Sequence, residues 1–243
     1  MATTTSSPAD QALAGIVSGP EPNTIADVIA LMQAIDAALG NDDGLKWFNK
    51  LYLMVTEQVD LNPPGGAWQS PRWLVALDVV FARYYFDAIR GYLAGTGTAS
   101  SWSAVFEVRF KAGVDRIQFA LAGMNAHINH DLAQALTDTD AALNVMPALN
   151  GPEHADYESV NGLLNNLMPA TLEMLASDVL GVIAQDTGKV GQLLAFWNIC
   201  KARDLAWDFA GHLRSLPAFA RPFAMDAQDA VTGALGRAIL TVV

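Results

Sequence analysis

Apolar residues recur every three to four positions in one segment after another of this chain, and no stretch alternates with the two-residue period of a strand. The first segment runs from a cap at Asn23 or Thr24 through Ile25, Val28, Ile29, Met32, Ile35 and Leu39, and Gly40-Asn41 closes it. A second helix is predicted from about Asp43 to Val59, with Trp47, Phe48, Leu51, Tyr52, Met54 and Val55 as its stripe and Glu57 near its end. Asn62-Pro63-Pro64-Gly65-Gly66 stops it. A third begins at Ser70-Pro71 and continues to about Leu93. In it Asp78, between Leu77 and Val79 in a helix apolar almost all round, is expected to be buried, and Asp87 to pair with Arg83.

After the loop Gly95-Thr96-Gly97-Thr98, a short helix is predicted from Ser101 to about Phe110, and Gly113 separates it from a long one reaching Leu136. Thr137-Asp138-Thr139-Asp140 reads as the cap of a short segment ending near Pro147. A helix from about His154 is interrupted at Pro169 and resumes through Leu172, Leu175, Val179 and Ile183. Another spans Val190 to Leu213, and a final amphipathic helix covers Met225 to Val243. The pattern predicts an all-α fold, a single-domain helical bundle over residues 23–243, behind a flexible N-terminal segment, residues 1–22, rich in Ala, Thr, Ser, Pro and Gly. That segment has neither the basic start nor the apolar stretch of a signal peptide. No apolar run approaches the roughly 20 residues of a membrane span.

Composition sharpens this picture. Hydrophobic residues make up 52% of the 243, enough for a substantial core, while only 16% are charged. With 25 Asp and Glu against 14 Lys and Arg, the net charge is −11, which disfavours nucleic acid and anionic membrane as partners. A single cysteine, Cys200, rules out an intramolecular disulfide and any Cys-rich metal site, in keeping with a cytoplasmic protein; it reads as a small buried apolar residue. Phosphate-binding glycine motifs and the nucleophile elbow are missing.

Chemistry is expected where polar groups interrupt apolar helices. In Gly123-Met124-Asn125-Ala126-His127-Ile128-Asn129-His130-Asp131-Leu132, His127 and Asp131 lie one helical turn apart and face one point. His130 and Asp131, being adjacent, should point about 100° apart, so both bind only if they serve different ions or if one stands behind the other. Asp204, Asp208 and His212 form a second stripe spaced by four. With Asp78 and Glu57, acids and imidazoles come from four helices, as in metal sites inside helical bundles. Oxygen and imidazole ligands without thiolate suit Fe, Mn or Zn and lean toward iron. An aromatic surround (Trp47, Phe48, Tyr84, Tyr85, Phe119, Trp197, Trp207) would keep a reactive centre dry. The bland alternative is that each buried acid or histidine is hydrogen-bonded structure. His154, at a helix start after Pro152-Glu153, reads as an exposed loop residue.

The Gly123 to Leu132 stretch resembles the signature of a bacterial, actinomycete-rich family of all-helical proteins of unknown function. Leu77-Asp78-Val79-Val80-Phe81-Ala82, Tyr157-Glu158-Ser159-Val160-Asn161 and Ala202-Arg203-Asp204-Leu205-Ala206-Trp207 extend the resemblance over most of residues 45–215. It carries His127, Asp131, Asp78 and Asp204 as ligands, with Asn125 and Asn129 behind them; the family varies at His130 and often has Glu in place of Asp204. Asp208 and His212 rest on spacing alone. The chain is also similar to the non-haem di-iron monooxygenases of platensimycin and platencin biosynthesis. That similarity implies two Fe ions, O₂ and an external electron donor, acting on a polycyclic terpenoid carried as an acyl-CoA. The expectation is therefore a di-iron monooxygenase of an apolar substrate. A helical zinc hydrolase and a non-enzymatic binding module are the alternatives.

Overall fold

The computed structural model describes residues 7–63, 66–176 and 198–241. These form α1 (Pro8–Val17), α2 (Ile25–Ala38), α3 (Gly44–Leu61), α4 (Pro71–Ala94), α5 (Ser100–Phe106) and α6 (Arg116–Ala126). A π turn (His127–Asp131) then leads straight into α7 (Leu132–Leu143), followed by α8 (Pro152–Ala176), α9 (Ile199–Ser215) and α10 (Arg221–Ile239). No strand occurs among the described residues, so the fold is all-α. None of these helices is long and apolar enough to cross a membrane.

The centre of the bundle is α3, α4, α6 and the π turn. Around it α2 packs on α3, α1 on α2 and α4, α9 on α7, and α10 on α5 and α6. Phe48, Tyr85, Phe86 and Trp102 are buried here, with rings meeting edge-on or tilted. Two glycines set the approach of α3 to α6. A Cβ on Gly44 would sit 2.3 Å from the Phe119 ring, and one on Gly123 would sit 2.4 Å from Phe48 Cγ, so no other residue fits without moving an aromatic.

Helix starts are capped both locally and from afar. Of the two caps the sequence offers for α2, Thr24 is the one used, and it forms a capping box with Asp27. The starts of α4 and α5 have no side-chain cap of their own. Asp156 instead accepts the Gln69 and Ser70 amides, and Asp229 those of Ser100 and Ser101. At the other end of α2, buried Lys46 donates to the Asp36 and Leu39 carbonyls at 2.6 and 2.7 Å.

Four expectations change. Residues 8–17, read as part of a flexible segment, are α1: Ser7 and Asp10 cap it, and Leu13 and Val17 are buried. Arg109, fully buried, ties Asp10 to Asp43 and so holds α1 to the bundle. Thr137 to Asp140 start no new element but lie inside α7, where Asp140 accepts from Trp73 Nε1 at 2.8 Å. Pro169 lies within α8. Asp87 pairs with Arg90, because Arg83 is engaged by the Pro22 carbonyl and Glu21. Val179, Ile183 and residues 190–197, Trp197 included, lie outside the described residues.

Candidate functional site

The site is built on the break in the long α6 to α7 helix. The Leu132 amide bonds to the His127 carbonyl five residues back, widening one turn. Within that turn His127 Nδ1 and Asp131 Oδ2 are 2.9 Å apart, both side chains being almost completely buried. Asp131 Oδ2 also accepts from Trp102 Nε1 at 2.9 Å, and Oδ1 lies 2.7 Å from His130 Nδ1. Although adjacent, His130 and Asp131 therefore meet rather than point apart. His130 is half-buried, with Nε2 3.8 Å from Asp229.

Electrostatics follow from this packing. Burial opposes charge on all three groups, and the hydrogen bonds work against it for Asp131 and His130. The net result holds Asp131 below the ordinary carboxylate range, through His127 and His130, and His130 above the ordinary imidazole value, through Asp131 and then Asp229. For His127 burial wins: its pKa is lowered and the ring is neutral at physiological pH. With a carboxylate on Nδ1, the proton sits there, and the lone pair is left on Nε2.

That Nε2 is buried and has no hydrogen-bond partner. Phe81 stacks on the imidazole at 3.6 Å with planes 6° apart, and Tyr52 meets its edge at 4.5 Å. Phe48, Tyr85 and Trp102 complete the wall at 5.6 to 6.3 Å. Two more enclosed atoms lack partners, Tyr52 Oη and Asp78 Oδ2. Asp78 is half-buried, one turn before Phe81 on α4; burial first, then the charge of Asp60, pushes its carboxyl from 3.8 up to about 7. Its charge also acts on Tyr52, whose phenol burial already holds well above its ordinary value. An unpartnered buried polar atom costs about 1–3 kcal/mol, and here three residues of the core, His127, Tyr52 and Asp78, each carry one.

The remaining candidates stand elsewhere. Glu57 accepts from Gln33 Nε2 at the surface. On α9 the buried face is Ala202, Arg203, Ala206, Trp207, Ala210 and Leu213. Asp204, Asp208 and His212 therefore lie on the outer side, with Asp204 41% exposed and paired with Lys201 and His212 beside Phe209. The stripe is the polar face of an ordinary amphipathic helix. Among the described residues no three His, Cys, Asp or Glu side chains are grouped so as to hold a metal ion.

Asn125 and Asn129 serve the fold: Asn125 donates to the Thr232 carbonyl at 2.8 Å and accepts from Asn129 at 3.0 Å, anchoring α10. His154 is not a free loop residue, since its ring sits edge-on to Trp207 at 4.7 Å in the first turn of α8. Cys200 is only partly buried. Of the expected aromatic surround, Phe48 and Tyr85 reach His127, whereas Trp47 stacks on Arg116, Phe119 packs at Gly44 and Tyr84 bonds Asp138. Trp207 lies against Trp73 and Tyr157. Sequence reasoning missed Trp102, Tyr52 and Phe81 as site residues; the only signal was that Tyr52 and Phe81 share their helix faces with Phe48 and Asp78.

The other two family-like stretches meet each other. Tyr157 Oη donates to the Arg203 carbonyl, and Arg203 returns a bond to the Tyr157 carbonyl, both at 2.6 Å, with a third bond from Arg203 to Asn161. These join α8 to α9, so their role is to fix the frame around the site. No curated protein and no solved structure matches the chain. A family model does match, over residues 25–242, so the chain belongs to the family of unknown function DUF5995.

Proposed function

We propose that this protein is a metal-dependent oxidoreductase that hydroxylates an apolar substrate, with one metal ion held by His127 Nε2 and Asp78. The observation that carries this reading is the His127 imidazole: Asp131 fixes its Nδ1 side, and Nε2 is buried without a partner. A carboxylate on the far nitrogen is the usual way a ligating histidine is oriented and made more basic. Asp78, whose Oδ2 is also buried without a partner and whose proton burial holds on, would supply the second donor on losing that proton to a cation.

The donor set leans toward iron, which when bound would supply the oxygen chemistry. The chain's own part is to bind and orient. Phe81 locks the plane of His127, Trp102 and His130 hold Asp131, and the aromatic wall keeps water out. The pair of irons implied by the resemblance would need a second ligand set, which Asp204, Asp208 and His212 do not supply from the outer side of α9. The aromatic rings around His127 suit an apolar substrate, with a terpenoid acyl-CoA the class to try first, and the electrons come from an external donor.

The test is metal analysis of protein purified without added metal. Stoichiometric iron is expected, lost in His127→Ala and Asp78→Ala and retained in Asp208→Ala and His212→Ala. Zinc at the same place would move the reading to a hydrolase, in which the ion activates a bound water. Absence of stoichiometric metal, or iron retained by His127→Ala, would sink it.

A further inference from the structure

Four large apolar side chains, Met146, Leu149, Phe219 and Phe223, are between 68 and 88% exposed. They belong to two connections. Met146 and Leu149 lie between α7 and α8, Phe219 lies between α9 and α10, and Phe223 opens α10 one turn later. Arg214, at the end of α9, pairs with Asp140, near the end of α7. Its guanidinium stands 5.9 Å over Trp207, whose ring also meets His154 in the first turn of α8. The last turns of α7 and α9 and the first turn of α8 are thus tied together, which brings both connections to the same end of the bundle. Both are also held in shape. Asn144 and Asn150, in the left-handed region with φ 52° and 64°, bracket the first, and the Val145 and Gly151 amides bond to the Asp140 and Ala148 carbonyls. In the second, the Ala220 amide bonds to the Pro217 carbonyl, and Arg221 folds back onto the Leu216 carbonyl. Segments ordered in advance lose little entropy on contact.

We infer that this end of the bundle is the face by which two copies of the chain pair. Charge selects the occupant. Each copy carries −11, yet residues 141–152 have no charged side chain and residues 215–225 have only Arg221. The repulsion between two acidic chains is least where acids are missing, so a second copy can approach here. Size agrees with this. Four side chains so exposed, with the prolines and alanines between them, offer on the order of 600 Å² a copy, and a pair would bury about 1,200 Å², past the roughly 1,000 Å² that a specific interface needs. Phe and Met are side chains that interface cores favour, and a twofold axis lets one patch serve both copies.

The experiment is sedimentation of the full chain over a range of concentrations, beside Met146→Asp, Phe219→Asp and, as a control, Val231→Asp at an equally exposed position in the middle of α10. The expected result is a species of twice the 25.9 kDa of one chain for the wild type and for Val231→Asp. Met146→Asp and Phe219→Asp should each weaken pairing by about a hundredfold or more, because a like-charge contact is costly and the axis repeats it. Their helix content by circular dichroism should match the wild type, since neither side chain is buried. A wild type that is monomeric at every concentration would overturn the inference. So would a dimer that either Met146→Asp or Phe219→Asp leaves intact, or one that Val231→Asp dissociates. Flotation of a monomeric wild type with phosphatidylcholine vesicles, lost in Phe219→Asp, would assign this end to a lipid surface and overturn the pairing.

Discussion

The indole of Trp102 donates to Asp131 at 2.9 Å, on the same carboxylate oxygen that receives His127 Nδ1. Helix α5 thus reaches across the core to fix the group that fixes the histidine. Trp102→Phe removes that donor together with one ring of a fully buried side chain. The lost hydrogen bond to a buried charge, about 1.5–3 kcal/mol, and the cavity left behind both destabilise the fold, read from urea denaturation. The substitution should also move the His127 ring signals in NMR spectra; unmoved signals would mean that Asp131 is held well enough by the two histidines.

Asp78 makes stability depend on pH in a stated direction. Its carboxyl is pushed from 3.8 up to about 7 by burial and then by Asp60, so the folded chain keeps a proton that the unfolded chain has released. In metal-free protein the resulting penalty on folding grows between about pH 4 and 7 and is complete above that. Asp78→Asn is expected to raise the melting temperature at pH 8 and to change it little at pH 4. A difference independent of pH would be inconsistent with an uncharged Asp78.

Arg109 joins two acids far apart in sequence, with Nε 2.6 Å from Asp43 and Nη1 2.7 Å from Asp10. Because Asp43 is buried, Arg109→Met would leave a carboxylate without its counter-charge, at a cost of about 3–5 kcal/mol. Asp10 is partly exposed, so Asp10→Asn should cost clearly less and act mainly by freeing α1. Equilibrium denaturation of the two variants, with proteolysis near residue 19 as the reporter of α1 release, checks both.

Local signals were the legible ones. Thr24 announced α2, Ser70-Pro71 announced α4, and the spacing of His127 and Asp131 announced the buried pair, because each depends on residues within one turn. Asp204, Asp208 and His212 were misplaced for a physical reason. Their helix has apolar residues on both sides of the stripe, but Leu205 is 56% exposed, and the inward position went to Arg203, whose charge is satisfied by Tyr157 and Asn161. A buried arginine and an exposed leucine invert the usual pattern. Trp102 was invisible as a partner because it comes from another helix, 29 residues away. The far-supplied caps Asp156 and Asp229 are hidden for the same reason.

The widened turn at His127 has a consequence beyond the site. It accommodates an extra residue, and each residue of a helix turns the next by about 100°. Leu132, Ala133 and Leu136 face the core only because that insertion precedes them. Deleting any one residue of the turn would swing α7 out of phase and drive those leucines into solvent.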